Sequence, residues 1–312
     1  MNKVSYFFCT DPNVDPVAMN VYKSVEKLVE LKETDIVIDN YPVMEYNPSD
    51  NKKIHFVRIN DVLSHDYDKY LPLLKKHFPD DYDFIGVINW HEGAGADDSI
   101  FTVHSTGDIA SGQYGVANPK HIRSLMHAIE NNRTKYGLNE FQVLTEATHW
   151  SGMVYSQKPE QINDYPVPVY DIEIGSVPAS WENEKAAEVL AKSMIEFFEH
   201  EQDCISILCV GGMHFTDTYS KAILNTDIPI GLSHILSNFW LEKGGYDTEA
   251  GYHMLRKAAN TIQGGVQGIA FHDNMKSAIK NNCKRLAEEL SIPVFKKQVL
   301  TDNVRIKEFF KW

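Results

Sequence analysis

The residues able to do chemistry are concentrated in a few short segments. The densest is Thr145-Glu146-Ala147-Thr148-His149-Trp150-Ser151-Gly152, with a carboxylate, a hydroxyl and an imidazole within four residues. Three others are Thr102-Val103-His104 with Gly107-Asp108, Glu173-Ile174-Gly175-Ser176 and Gly211-Gly212-Met213-His214. The segment Asn89–Asp98 adds His91-Glu92 before small and acidic residues. Carboxylates beside imidazoles suit hydrolysis, in which a water is positioned at a carbonyl and donors meet the oxyanion. His149 is the expected centre, as base or donor, oriented by Glu146, with Thr148 and His104 beside them. Gly211, Gly212, His214, Glu173, Gly175, Ser176 and His91 are expected to bind substrate. Backbone N–H groups at Gly211-Gly212 and Gly175-Ser176, each expected to open a helix, would receive an oxyanion or a phosphate.

The same residues have the ligand chemistry of a hydrolytic zinc site with one open position. The donors would come from His104, His149, His214 and Glu146. No tight spacing links any two of them, so a metal would rest on tertiary proximity. His91-Glu92 lacks the second His of a zincin motif, and Gly93-x-Gly95 lacks the third glycine of a dinucleotide fingerprint. The expectation is therefore a metal-free site without a firm cofactor, with zinc as the alternative. Plainer readings stand beside these: Glu146 and Glu173 as turn caps, Trp150 and Trp181 as packing residues, His55 and His77 as surface.

These segments need elements to position them. Apolar runs at Lys3–Cys9, Ile36–Ile38, Ile54–Ile59, Phe84–Ile88, Ile100–His104, Phe141–Leu144, Val169–Ile174, Ile205–Val210, Val266–Phe271 and Ile292–Phe295 predict strands, and Ile228–Ile235 is a further apolar stretch carrying His234. Helical spacing predicts helices over Asp15–Leu31, Tyr67–Phe78, from Pro119, over Ala187–Phe198, up to Leu224, over Thr248–Ile262 and over Met275–Leu290. Tyr155–Pro168 reads as a polar loop of the size of a lid or binding loop. Alternating strands and helices predict an α/β fold with a largely parallel or mixed sheet flanked by helices. Residues 1–312 read as a single domain, with room for a small subdomain. In such sheets ligands bind beyond the strand carboxyl ends. Four of the polar segments begin there, which predicts one shared crevice.

The chain of 312 residues carries 30 basic and 43 acidic residues, a net charge of −13. That argues against DNA, which needs a basic footprint. The stretch from Lys276 to Trp312 is an exception, with nine basic and four acidic residues. Cys9, Cys204, Cys209 and Cys283 lack Cys-x-x-Cys spacing and read as reduced thiols of a cytoplasmic protein. No stretch approaches a membrane span, and Val4–Cys9 is too short for a signal-peptide core.

Taken together, the polar segments resemble the D-aminoacyl-tRNA deacylases of the archaeal and plant type. That family shows Thr-Val-His followed by Gly-Asn, then Glu-Ala-Thr-His-His-Gly-Pro, then Glu-(Leu/Ile)-Gly-Ser with a nearby Trp, then Gly-Gly-x-His-Tyr. The counterparts here are Thr102-Val103-His104 with Gly107-Asp108, Glu146 to Gly152, Glu173 to Ser176 with Trp181, and Gly211 to Phe215. The departures are Trp150 for the second His, Ser151-Gly152 for Gly-Pro, Phe215 for Tyr and Asp108 for Asn. The resemblance implies hydrolysis of the ester between a D-amino acid and the 3′-terminal ribose of tRNA. It also implies aminoacylated tRNA as partner and an association with zinc; the chain is expected to be a monomer or homodimer. Two alternatives remain: a small-molecule hydrolase or nucleoside phosphorylase-like enzyme on a related scaffold, and a non-catalytic tRNA-end binder.

Overall fold

The computed structural model describes residues 2–93, 95–225 and 227–310. Ala94 of the Asn89–Asp98 segment, and Lys311 and Trp312 of the basic end, lie outside the described residues. In chain order the strands are β1 (Asn2–Cys9), β2 (Lys32–Ile38), β3 (Tyr41–Ser49), β4 (Lys52–Ile59), β5 (Phe84–His91), β6 (Ser99–Ser105) and the short pair β7 (Gly107–Asp108) and β8 (Gln113–Tyr114). They continue as β9 (Gln142–Thr145), β10 (Val169–Ser176), β11 (Ile205–Val210), β12 (Ile230–Leu236), β13 (Gly268–Phe271) and β14 (Val294–Lys296). The helices are α1 (Ala18–Leu28), α2 (Tyr67–His77), α3 (Pro119–Lys135), α4 (Pro178–Trp181), α5 (Glu184–Ile195), α6 (Asp217–Ile223), α7 (Asn238–Lys243), α8 (Glu249–Asn260), α9 (Ser277–Leu290) and α10 (Ile306–Phe309).

The fold is α/β. Eight strands form a mixed sheet in the order β2-β3-β4-β1-β5-β10-β6-β9, and four form a second sheet in the order β12-β11-β13-β14. The second sheet is parallel throughout. Its strands alternate between two cores: Ile205, Ile207 and Cys209 face the large one, while Leu208 and Val210 face a smaller one built with α8 and α9. Side chains alternate across a strand, so a strand covered on both faces reads as a continuous apolar run.

Local chemistry sets the helix starts. The Asn118 side chain accepts from Lys120 N at 3.0 Å, with Pro119 in the first turn of α3. Asn183 accepts from Lys185 N and Ala186 N, both at 3.0 Å, at the start of α5. Strand β3 fills the stretch between the apolar runs Ile36–Ile38 and Ile54–Ile59, where no strand is predicted. Its prolines and half-exposed pattern, near the sheet edge, hide it from an apolar-run reading. The histidine expected at the surface, His55, is buried between Tyr82 Oη at 2.7 Å and Glu45 at 3.3 Å.

One expectation needs correction. Strand β10 runs parallel to β5 but antiparallel to β6, and β9 follows β6. The carboxyl ends of β6 and β9 therefore do not meet those of β5 and β10 at one sheet edge. Residues that pair across strands share a face instead. Asp171 pairs with His104, Glu173 with both Thr102 and Asn89, and Gly175 with His91. The site lies along a sheet face, where the second sheet closes over it.

Candidate active site

The segment after β9 is the seam between the sheets. Thr106 bridges His149, Glu146 bridges Phe215, and Ala147 N donates to His214 O at 2.9 Å. Glu146 from the first sheet is thereby held against His214 from the loop after β11. Gly211 and Gly212 turn that loop with φ of 94° and 115°. Such conformations favour glycine. A Cβ at Gly211 would also lie 2.6 Å from Met275 Sδ.

Glu146 is buried and faces a group of imidazoles. Its Oε2 lies 2.6 Å from His214 Nε2 and 3.7 Å from His91 Nε2. His104 stacks on His149 with ring centroids 3.8 Å apart, and His149 lies 5.0 Å from His214. Three rings are anchored through Nδ1. His149 Nδ1 donates to Ala147 O at 2.8 Å and His104 Nδ1 to Ser105 O at 3.2 Å. His91 Nδ1 lies 2.9 Å from Ser176 Oγ, whose own hydroxyl donates to Asp97 O at 3.0 Å, so the ring donates. Each ring thus turns Nε2 toward the cluster, the tautomer arrangement of metal-ligating histidines with outer partners. Gly175 permits this packing, because a Cβ there would sit 2.5 Å from His91 Cβ.

The charges sort themselves by environment. Burial opposes ionisation of Glu146, yet the His214 contact and the neighbouring His104 and His149 rings hold it well below the usual carboxylate range. Burial and then the charge of Glu146 push Glu173 above that range. Burial alone would depress His104, but Glu173, whose Oε1 lies 3.6 Å from its Nε2, and the charges of Asp171 and Glu146 hold it up at about 10. Burial and the positive ring beneath it push His149 down to about 3. Burial also lowers His91. An ionised carboxylate and a protonated one a few residues apart in space is the arrangement that separates acid from base.

Two triplets bring potential ligand atoms within 4.8 Å of one another: His91, Glu146 and His214, and His104, Glu146 and His149. They share Glu146. Glu146 Oε1 and His104 Nε2 are buried without a hydrogen-bond partner, which is costly unless something else completes them. The donor set and the orphaned Glu146 oxygen fit a divalent cation, which His104, held protonated, could ligate only after losing its proton.

A cavity of about 800 Å³ opens over the cluster. Its lining includes Asn89, His91, His149, Glu173, His214 and Phe215. His65, Trp90, Val154, Tyr155 and Met213, none of them expected from sequence as site residues, also line it. Tyr155 stacks on His65 at 3.6 Å, and Trp90 meets His65 edge-on at 6.2 Å. Tyr155 lies at the start of the predicted binding loop. Asp171 was also missed: it takes a bond from Asn89 Nδ2 at 2.8 Å and lies 3.8 Å from His104 Nε2. The available signal was two-residue spacing, since Asp171 precedes Glu173 and Asn89 precedes His91 by the strand repeat.

Other expected residues lie elsewhere. Thr148 is buried in a separate network between the sheets. Its Oγ1 accepts from Ile235 N at 3.0 Å and lies 3.1 Å from Ser105 Oγ and 3.3 Å from His234 Nδ1. The amides expected to receive an oxyanion are engaged: Gly211 N donates to Leu236 O, Gly212 N to Asn238 Oδ1 and Ser176 N to Asp98 O. Neither Gly211-Gly212 nor Gly175-Ser176 opens a helix directly, since α6 begins at Asp217 and α4 at Pro178. Trp150, at the family's second His, is buried edge-on to Tyr67 at 5.3 Å, and Trp181 donates Nε1–H to His91 O at 3.1 Å.

The fold is α/β, and its candidate site is a histidine–carboxylate centre of the chemistry that hydrolysis uses. Residues 78–295 match the D-aminoacyl-tRNA deacylase family. A D-aminoacyl-tRNA deacylase of Pyrococcus abyssi is 25% identical over 91% of this chain and 97% of its own length. One of Desulfurococcus amylolyticus is 27% identical over 55% of this chain and 62% of its own. The crystal structure of a conserved protein of unknown function superposes with a TM-score of 0.73 at 21% identity, covering 97% of each chain. The chain belongs to the D-aminoacyl-tRNA deacylase family and is a hydrolase. Family membership decides against the small-molecule alternative.

Proposed function

We propose that this chain hydrolyses the ester joining a D-amino acid to the 3′-terminal ribose of tRNA, at the cluster around Glu146. The carrying observation is the buried Glu146 facing His91, His149 and His214, three rings that line the cavity together with Glu173; the imidazoles favour ionised Glu146, and burial with that charge favours protonated Glu173. His214 is half-exposed at the cavity, and with Glu146 behind it can take a proton from the attacking water. Glu173 can return a proton to the departing ribose oxygen. His149, at about 3, is too weak a base for that step and holds the water by its bare Nε2. His104 sets the charge balance from beneath. Thr148 keeps a structural role.

The two triplets hold the donors that zinc would use, the cation this imidazole–carboxylate set suits, and a ring that ligated it would give up its own part in proton transfer or water holding to the ion. Zinc there would polarise an ester carbonyl and acidify a bound water. The two triplets and the orphaned Glu146 oxygen support the zinc alternative over the metal-free expectation. The His65–Tyr155–Trp90 wall is placed to receive an aromatic or apolar amino-acid side chain. The two sheets act as one domain in this reading, since Glu146 and His214 come from different sheets. Among the described residues no helix is long and apolar enough to cross a membrane. The four unbridged thiols support a cytoplasmic protein.

The test is release of tyrosine from D-tyrosyl-tRNA and L-tyrosyl-tRNA. Release specific to the D ester is expected, with Glu146→Gln slower by about 10²–10⁴-fold, the range for general acid–base groups. Chelation should abolish release and added zinc restore it. Equal activity in Glu146→Gln, or no release from either ester, would overturn the reading.

A further inference from the structure

The loop that lines the cavity with Met213 and His214 also holds a second surface in place. Asn238 N donates to Gly212 O at 2.9 Å, and Gly212 N donates to Asn238 Oδ1 at 3.1 Å. These two bonds clamp the start of α7 to the glycine turn that carries Met213 and His214. Leu241, fully buried, anchors α7 to the core. The helix leaves Phe239 60% and Trp240 36% exposed, and Met213, on the cavity wall, is 74% exposed. The two rings meet edge-on at 4.9 Å. The ammonium of Lys243 lies over both, 4.6 and 4.8 Å from their centroids. Beyond the neighbouring strand β13, exposed Lys276 reaches back to Asp247, just past the end of α7, at 3.5 Å.

Exposed large apolar side chains need a reason when they adjoin one another at the edge of a site. Aromatic faces with ammonium groups alongside are the chemistry that holds unpaired nucleotides, by stacking on bases and pairing with phosphates. In a chain of net charge −13, local cations are what a polyanion would need. We propose that Phe239 and Trp240 stack the unpaired bases that precede the terminal nucleoside of the tRNA, with Lys243 and Lys276 on the intervening phosphates. The inference rests on the reading of the cavity as the site of the terminal ester.

The test is fluorescence anisotropy with a 5′-fluorescein-labelled RNA tetranucleotide, ACCA, carrying no amino acid. The Phe239→Ala/Trp240→Ala double variant is expected to bind at least about tenfold more weakly than wild type, since base–aromatic stacking is worth that much per ring. Lys243→Gln should lower the salt dependence of log K by about 0.7, the value for one phosphate contact on a single strand. Val37→Ala, an exposed position in the other sheet, should bind as wild type does. Thermal unfolding of each variant checks the fold. Equal binding by wild type and the double variant, or a loss matched by Val37→Ala, overturns the inference. Because no ester is present, a failed deacylation assay and a failed stacking assay are separate results.

Discussion

The Gly175→Ala substitution probes the site through one methyl group. A Cβ at this position would lie 2.5 Å from His91 Cβ and 2.9 Å from His91 O, against about 3.4 Å for the shortest ordinary contacts. His91 cannot yield by rotating its ring, because the clash is with its Cβ and backbone. Strand β5 or β10 must therefore shift by roughly 1 Å, and a displacement of that size at a catalytic group costs on the order of 100-fold in rate. The added methyl should also lower stability by about 1–3 kcal/mol, the range for overpacking. That leaves a domain of this size folded at room temperature. The assay is single-turnover release of tyrosine from D-tyrosyl-tRNA, with thermal unfolding and equilibrium dialysis against zinc alongside. The expected result is a folded protein with the large rate loss and weakened zinc binding. A folded Gly175→Ala protein with wild-type turnover and zinc affinity would refute the claim that His91 must sit where β10 places it.

Thr148→Val should lose about 1–3 kcal/mol in denaturant unfolding, because the Ile235 N–H is left buried without its acceptor. Its effect on release of D-tyrosine should be small beside that of Glu146→Gln, and a comparable kinetic loss would put Thr148 back among the catalytic groups. Trp150→His, which restores the family's His pair, should cost roughly 3 kcal/mol or more in lost core packing and raise no activity; a gain in kcat/KM would show that the ring at 150 reaches the cluster. Asp15 is buried, accepts from Val17 N and Ala18 N, and is raised by burial from 3.8 to about 7. A raised carboxyl stabilises fully below its unfolded value, and that contribution is lost as pH rises through the folded value, up to roughly 4 kcal/mol between pH 4 and 7. Asp15→Asn should therefore be more stable than wild type at pH 8, with the difference vanishing near pH 4; an identical pH dependence of unfolding in the two proteins would contradict this.

Much of the fold was legible in the sequence because local patterning carries it. The continuous run Ile205–Val210 marks a strand covered on both faces, and Asn118-Pro119 marks a helix start. Strand β3 and the short helix α7 were not legible. The first is a half-exposed strand containing prolines, and the second has only six residues, too few to show a period. The order of polar segments likewise identified Glu146, His149, Glu173 and His214 as residues that belong together, and the cavity holds His149, Glu173 and His214.

The sequence by itself determined which chemical groups are available and which strands deliver them. The tertiary structure decided how each group is used, because hydrogen-bond partners and charge environments come from residues distant in the chain. Thr148 and His149 are adjacent, yet one hydroxyl is consumed by Ile235 across the seam while the next imidazole faces the cavity. Glu146 and Glu173 are the same residue type; imidazoles around one and burial beside the other's charge set them apart. The antiparallel turn of β6 against β10, which no local pattern encodes, moved the site from a sheet edge to a sheet face and brought Asp171 beside His104.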